Sequence, residues 1–234
     1  MTLPRDSEDQ VWAVVPAKRF SRAKMRLASV LTRAERAQLA QAMLHDVMSV
    51  LSAVDELAGI VVVSGDPSVA RVARPFGARL VTDIAETGVN DAVREGLHAV
   101  ARDSDAGAMV VPGDVPFATV ADVQSVLRVM VGQPMVLVPA LRDGGTNCLA
   151  MTDPFAIAPC FGDGSFHAHR AAARRAGIAP AVCHLEGLGH DVDRPDDLVS
   201  APRRFGSRTS ALLDELNINA RLGQPVLQSQ GGAI

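Results

Sequence analysis

An α/β fold with a mostly parallel central sheet flanked by helices is what this chain predicts, on three observations. Apolar runs rich in β-branched residues alternate with amphipathic helical stretches for about two hundred residues. Those runs lack polar alternation, as strands covered on both faces require. The 234 residues are long enough for one sizeable core, held as a single domain or a tight pair.

Each element has its own signature. Val11-Trp12-Ala13-Val14-Val15-Pro16 reads as the first buried strand. Thr32-Arg33-Ala34-Glu35 is a capping-box pattern, and Ala40, Met43, Leu44, Val47, Leu51 and Val54 continue it as an amphipathic helix ending near Asp55. Ile60–Val63 is a short strand closed by Ser64-Gly65-Asp66-Pro67, and Pro67 opens a helix over 68–76. A strand over 78–82 and a helix over 90–101 follow. Ala108-Met109-Val110-Val111 is the most apolar strand and stops at Pro112-Gly113-Asp114-Val115-Pro116. A helix over 119–131, strands over 135–139 and 147–151, a helix capped by Ser165 and running to Arg175, a last strand over 181–185 and a helix over 194–201 complete the pattern. Residues 1–10 form a polar extension, 11–201 the folded unit, and 202–234 a tail. In that tail 209–222 has helical spacing, and the Gln- and Gly-rich end reads as disordered. The tail either packs on a partner subunit, which would make a homodimer, or does nothing.

Composition narrows the function. Formal charge is −3 and only 3% of residues are aromatic, with no tyrosine, which argues against a broad nucleic-acid-binding face or a stacking platform. Cys148, Cys160 and Cys183 are odd in number and widely spaced, as small core residues of a reduced compartment would be. The polar, acidic start is no signal peptide and no apolar stretch is long enough to span a membrane, so a cytoplasmic location is expected.

The basicity that exists is local. Lys18, Arg19, Arg22, Lys24 and Arg26 fall within nine positions directly after the first strand, with no acid among them. In an open parallel sheet the loop leaving a strand's carboxyl end is where ligands bind, so this cluster expects a ligand with several phosphates. Alone, a basic run is as easily a solvated surface. Arg33 and Arg36, further along, are expected to be surface charges of little consequence.

Asp114 ends the most apolar strand between two prolines, where a carboxylate either shapes a turn or holds a hard cation such as magnesium. Asp191 and Asp193 lie two apart, so in extended backbone both face one side; either could join Asp114 at a metal, or Asp193 could cap the helix that Pro195 opens. Asp143-Gly144-Gly145-Thr146-Asn147 and Phe161-Gly162-Asp163-Gly164-Ser165 offer backbone amides and hydroxyls before a strand and before a helix, where anions are attracted. Together with the basic loop they suggest two phosphate-bearing ligands. Asn90 is either a helix cap or a reader of a sugar or base edge. His167 and His169, two apart on a helix, point in different directions and do not make a metal pair. No nucleophile elbow, Walker loop or dinucleotide fingerprint occurs. A substrate phosphate, with a second pKa of about 6, would need no protein base to serve as nucleophile.

These residues carry a resemblance. Val15-Pro16-Ala17-Lys18 with Ala23-Lys24-Met25-Arg26-Leu27 is similar to the opening motif of the CofC-type guanylyltransferases of deazaflavin coenzyme F-420 biosynthesis. Gly88-Val89-Asn90, Gly113-Asp114-Val115-Pro116, Gly144-Gly145-Thr146-Asn147, the Phe161–Ser165 loop and Asp191-Val192-Asp193-Arg194-Pro195-Asp196-Asp197-Leu198 follow in that family's order. Val115 stands where leucine is usual. The resemblance implies a GT-A, Rossmann-like nucleotidyltransferase fold, GTP as donor, magnesium, and a small phosphorylated carboxylic acid as acceptor. It implies Lys18, Lys24 and Asp114 as catalytic residues, and Pro16, Lys18, Arg22, Lys24, Asn90 and Asp114 around the nucleotide. Asp114 and Asp193 would hold the metal, and Thr146, Gly162 and Ser165 the acceptor. Members use 2-phospholactate, phosphoenolpyruvate or 3-phosphoglycerate, and the arginine- and alanine-rich composition leans toward the latter two. Two other readings stand beside it: a nucleotidyltransferase for a sugar phosphate or molybdopterin, which usually has a glycine-rich first loop, and a non-catalytic nucleotide-binding protein on the same fold.

Overall fold

The computed structural model describes residues 10–83, 87–102, 105–202 and 204–223. Strand β1, Val11–Pro16, leads through the basic loop to helix α1, Arg33–Ser52, whose capping box forms as expected: Thr32 Oγ1 accepts from the Glu35 N–H, and the Glu35 carboxylate accepts from the Thr32 N–H. Then come β2, Leu57–Val63; α2, Pro67–Ala73, capped by Asp66; β3, Arg79–Val81; and α3, Val89–Ala101. β4, Gly107–Val110; α4, Val120–Met130; β5, Met135–Pro139; and β6, Thr146–Met151, follow. The chain continues through α5, Ser165–Arg175; β7, Ala181–Val182; α6, Pro195–Ser200; α7, Arg208–Glu215; and α8, Ile218–Arg221.

The strands form one seven-stranded sheet in the order β3-β2-β1-β4-β6-β5-β7. Every pairing is parallel except those of β6, which runs antiparallel to both β4 and β5. Strand side chains alternate between two buried layers. Ala13 and Val15, Ile60 and Val62, and Met109 face the layer under α1, α2 and α4; Val14, Val61, Val63, Ala108 and Val110 face the layer under α3 and α5. Burial on both faces explains why the strands read as unbroken apolar runs.

Three expectations change. The last strand is two residues long, not five, because β7 pairs only at the edge of β5. The helical tail is two short helices broken at Asn217, which takes left-handed backbone (φ 49°). Nor does this segment stand apart from the fold. The buried Asp46 carboxylate on α1 accepts from Ser207 Oγ and from the Arg208 and Thr209 N–H groups, and Leu213 and Ile218 are buried in the α1 layer. The N-terminal extension to residue 9 and the end after residue 223 lie outside the described residues.

Candidate active site

A cleft of about 650 Å³ opens at the carboxyl ends of β1 and β4, lined by the basic loop, the Pro112–Asp114 turn, both glycine loops and Asp191 and Asp193. The reversal of β6 helps to build it. With Val110 paired to Leu149, the start of β6 lies beyond the carboxyl end of β4, so Thr146 and Asn147 reach the rim that the parallel strands also supply.

The basic loop is held by two single-turn 3-10 helices, Phe20–Arg22 and Met25–Leu27, whose Phe20 and Leu27 are buried. Between them Lys24 adopts left-handed backbone (φ 54°, ψ 43°), at a cost of roughly 1–2 kcal/mol for a residue with a side chain. The ion pairs it makes account for the strain. Lys24 Nζ donates to Asp114 Oδ2 at 2.7 Å and stands 3.6 Å from Asp193 Oδ1. Burial alone would drive the ammonium toward neutrality, but Asp114, Asp193 and Asp191 outweigh it and hold its pKa above the ordinary lysine value. Arg26 shares Asp193 with Lys24, donating to Asp193 Oδ2 at 2.7 Å, with Asp163 at 3.6 Å.

Asp191 and Asp193 both line the cleft because Val192 between them is fully buried, its N–H donating to the Asp114 carbonyl at 3.0 Å. The Asp191 carboxyl accepts from Asn147 Nδ2 at 3.2 Å. Burial, and then the Asp114 charge, push its pKa up to about 6. Asp193 does not cap α6: the Asp197 carboxylate does, accepting from the Asp193 and Arg194 N–H groups at 2.9 and 2.7 Å. Asp193 is thereby left for Lys24 and Arg26.

The opposite wall comes from the glycine loops. Asp143 Oδ1 accepts from the Gly145 N–H at 2.8 Å and folds the turn in which Gly144 takes φ +71°. Gly162 at φ +136° and Gly164 at φ +66° shape the second loop. The N-cap of α5 is Gly164, so Ser165 is its first helical residue, buried on the cleft. The Phe166 N–H donates to the Gly144 carbonyl, stitching the two loops together.

The structure thus gathers Pro16, Lys18, Arg22, Lys24, Asp114, Thr146, Gly162, Ser165 and Asp193 around one cleft. Asn90 differs. The cap of α3 is Gly88, and Asn90 spends both ends of its amide on Phe161, accepting from its N–H at 2.7 Å and donating to its carbonyl at 3.0 Å. It lies behind the cleft wall and fastens the second glycine loop, neither capping the helix nor facing the cleft. Arg36 differs too. It is buried, donating to the Leu31 carbonyl at 2.8 Å with Met25 Sδ at 3.8 Å, so it braces the basic loop and is no surface charge. Arg26 and His169 are the site residues that sequence reasoning passed over. Arg26 was visible as a member of the cation cluster; His169 carried no signal beyond its place after Ser165. The two histidines do diverge, His167 outward and His169 fully buried.

The sheet order, the cleft at the strand ends and the cation–carboxylate cluster define a nucleotidyltransferase-type α/β protein. A structure described as a nucleotide-diphospho-sugar transferase from Desulfovibrio desulfuricans superposes with a TM-score of 0.72 at 17% identity, over 92% of this chain and 98% of its own. The chain belongs to the family described as guanylyl transferase, CofC-like, whose model matches residues 11–211. Among its relatives, the 3-phospho-D-glycerate guanylyltransferase of Phenylobacterium zucineum is 38% identical over 83% of this chain and 91% of its own. The phosphoenolpyruvate guanylyltransferase of Sphaerobacter thermophilus is 34% identical over 80% and 89%. The 2-phospho-L-lactate guanylyltransferase of Methanothermobacter thermautotrophicus is 34% identical over 80% and 81%.

Proposed function

We propose that this protein transfers the guanylyl group of GTP to the phosphate of a small phosphorylated carboxylic acid, releasing pyrophosphate, as a step of coenzyme F-420 biosynthesis. The acceptor is phosphoenolpyruvate, 3-phospho-D-glycerate or 2-phospho-L-lactate. The observation that carries this reading is the meeting of a buried lysine with Asp114 and Asp193 on one wall of the cleft, facing Thr146, Gly162 and Ser165 on the other. One wall suits a triphosphate; the other suits a compact acid with two anionic ends.

An acceptor phosphate oxygen attacks the α-phosphorus of GTP. The bond from that phosphorus to the oxygen bridging to the β-phosphate breaks, and pyrophosphate leaves with the electron pair. The nucleophile is already anionic, so the chain supplies position and charge instead of a base. Lys24 keeps one donor on Asp114 and has others for phosphate oxygens. Lys18 and Arg22, exposed at the rim beyond Pro16, complete the basic side. Thr146 and Ser165 hydroxyls and the amides about Gly162 hold the acceptor, while Asn90 keeps that loop in place.

The acids fit magnesium. Three carboxylates, Asp114, Asp191 and Asp193, line the cleft, and burial, then the Asp114 charge, raise the pKa of Asp191, while Lys24 and Arg26 pair with Asp114 and Asp193. Among the described residues no three metal-ligating side chains form a ready cage. Magnesium needs none, since it takes one or two carboxylates and completes its shell with phosphate oxygens and water. Asp114 and Asp193 would hold it, and when bound it neutralises charge on the nucleotide phosphates. The protein works in the cytoplasm on soluble substrates; among the described residues no helix is long and apolar enough to cross a membrane.

The test is pyrophosphate release from GTP with magnesium and each of the three acids in turn, alongside Asp114→Asn. One acid should support turnover, and Asp114→Asn should lose at least about a hundredfold while its melting temperature stays within a few degrees. Release with none of the three acids, or near-parental release by Asp114→Asn, would sink the proposal.

A further inference from the structure

The two donor sets on the acceptor wall come from separate parts of the chain, and one buried side chain joins them. His169 on α5 is fully buried. The Cys160 N–H donates to its Nε2 at 2.9 Å, and its Nδ1 lies 2.9 Å from Thr146 Oγ1. A backbone amide only donates, so Nε2 must offer a lone pair, and the ring proton sits on Nδ1. Thr146 Oγ1 therefore accepts. Burial pushes the imidazole down to about 4, which keeps this neutral form dominant near neutral pH.

The consequence falls on the threonine. Its hydroxyl proton has no acceptor among the described residues, and one lone pair is engaged by His169, so the proton is free to point into the cleft that Thr146 lines. The same ring fixes the start of the second glycine loop through Cys160. Phe161 stands edge-on to it at 4.9 Å between centroids, and Asn90 pins the Phe161 backbone.

We propose that His169 is a positioning residue for the acceptor. Held as the Nδ1–H tautomer, it occupies one lone pair of the Thr146 hydroxyl, leaves that hydroxyl's proton for an anionic oxygen, and fixes the start of the Gly162 loop through Cys160. The wall is thereby preset for a phosphate or carboxylate oxygen, to which Thr146 offers its hydroxyl proton. This rests on the reading of Thr146 as an acceptor contact.

Two substitutions separate the ring nitrogens. A glutamine amide reaches the place of Nε2, so His169→Gln keeps an acceptor for Cys160 and withdraws the donor from Thr146; His169→Asn does the reverse. Initial rates with GTP and the active acid are measured for the parent, both variants, Thr146→Val and the double variant Thr146→Val/His169→Gln. His169→Gln should raise the acceptor KM by roughly tenfold or more and leave the GTP KM within about twofold. Added to Thr146→Val it should raise the acceptor KM no further, because the donor is already gone. Long-range proton–nitrogen spectra of the six imidazoles should show one ring, absent from His169→Gln, with Nδ1 protonated and Nε2 bare.

If Thr146→Val raises the acceptor KM but His169→Gln raises both KM values alike, or the two changes multiply, the positioning role is overturned and the acceptor wall stands. If Thr146→Val is itself silent, the reading of the wall falls and the role of His169 falls with it. Should the His169 variants not fold, the ring is assigned from its perturbation in Thr146→Val. An Nε2–H or doubly protonated ring then overturns the proposal, and an Nδ1–H ring upholds it.

Discussion

Replacing Lys24 by methionine keeps the side chain's length and deletes its charge. Removing one partner of a buried ion pair costs about 3–5 kcal/mol. Here the loss is smaller, because the Asp114 and Asp193 side chains are 34% and 29% exposed and Asp193 keeps Arg26. Water and that arginine take up much of the deficit, leaving ~1–2 kcal/mol, or ~2–8 °C in melting temperature for a chain of this size. Turnover should suffer far more, at least about a hundredfold, since a fixed cation beside the transferring phosphorus acts on charge that develops in the transition state. Magnesium discriminates this account from simple damage. With the ammonium gone, only Arg26 at Asp193 offsets the repulsion among Asp114, Asp191 and Asp193, so a divalent ion should bind the variant more tightly than the parent. Thermal melts with and without magnesium should show a larger upward shift for Lys24→Met, and pyrophosphate release should be nearly abolished. Near-parental turnover, or an equal response of the two proteins to magnesium, would refute the arrangement of lysine and acids argued here.

Three further outcomes are expected. Gly162→Ala meets no atom that a Cβ would strike, yet φ +136° strains any side-chain-bearing residue by about 1–3 kcal/mol; the loop should shift, raising the acceptor KM more than the GTP KM, and equal changes would remove Gly162 from the acceptor wall. The folded-state pKa of His169, about 4 against an ordinary 6.5, means that between those values the unfolded chain takes up a proton the folded chain refuses. Its contribution is whole above pH 6.5 and is lost progressively as pH falls to about 4, by up to about 3 kcal/mol, so urea midpoints at pH 7 and pH 5 should differ less in His169→Gln than in the parent; an identical pH dependence would contradict the burial argument. Arg36→Met strips the Leu31 carbonyl of its buried donor and should cost ~1–3 kcal/mol in chemical denaturation, where a true surface charge would cost under about 1.

Much of this protein was legible in its residues. The unbroken apolar runs of β1, β2 and β4 require cover on both faces, and two side-chain layers provide it. The capping signal at Thr32 places the start of α1, since the unpaired N–H groups of a helix start need a local acceptor and the threonine supplies one. Period-two geometry put Asp191 and Asp193 on one side, and the basic cluster after β1 marked the ligand end of the sheet. Each of these rests on interactions within a few residues, or on a periodicity, and such information is local.

Tertiary structure alone decided the pairings across the chain. No local pattern says that Lys24 will sit on Asp114, ninety residues away, or that Arg26 will reach Asp193. None says that Asn90 will fasten Phe161, that Arg36 will be buried, or that Asp46 will receive the tail. His169 is the clearest case. Its spacing on α5 showed only that it diverges from His167; its tautomer and its purpose come from a backbone amide at Cys160 and a hydroxyl on β6 that the antiparallel strand brings to the same wall. A side chain's chemistry is set by the groups it is packed against, and in a parallel sheet those groups arrive from strands that are neighbours in space and strangers in sequence.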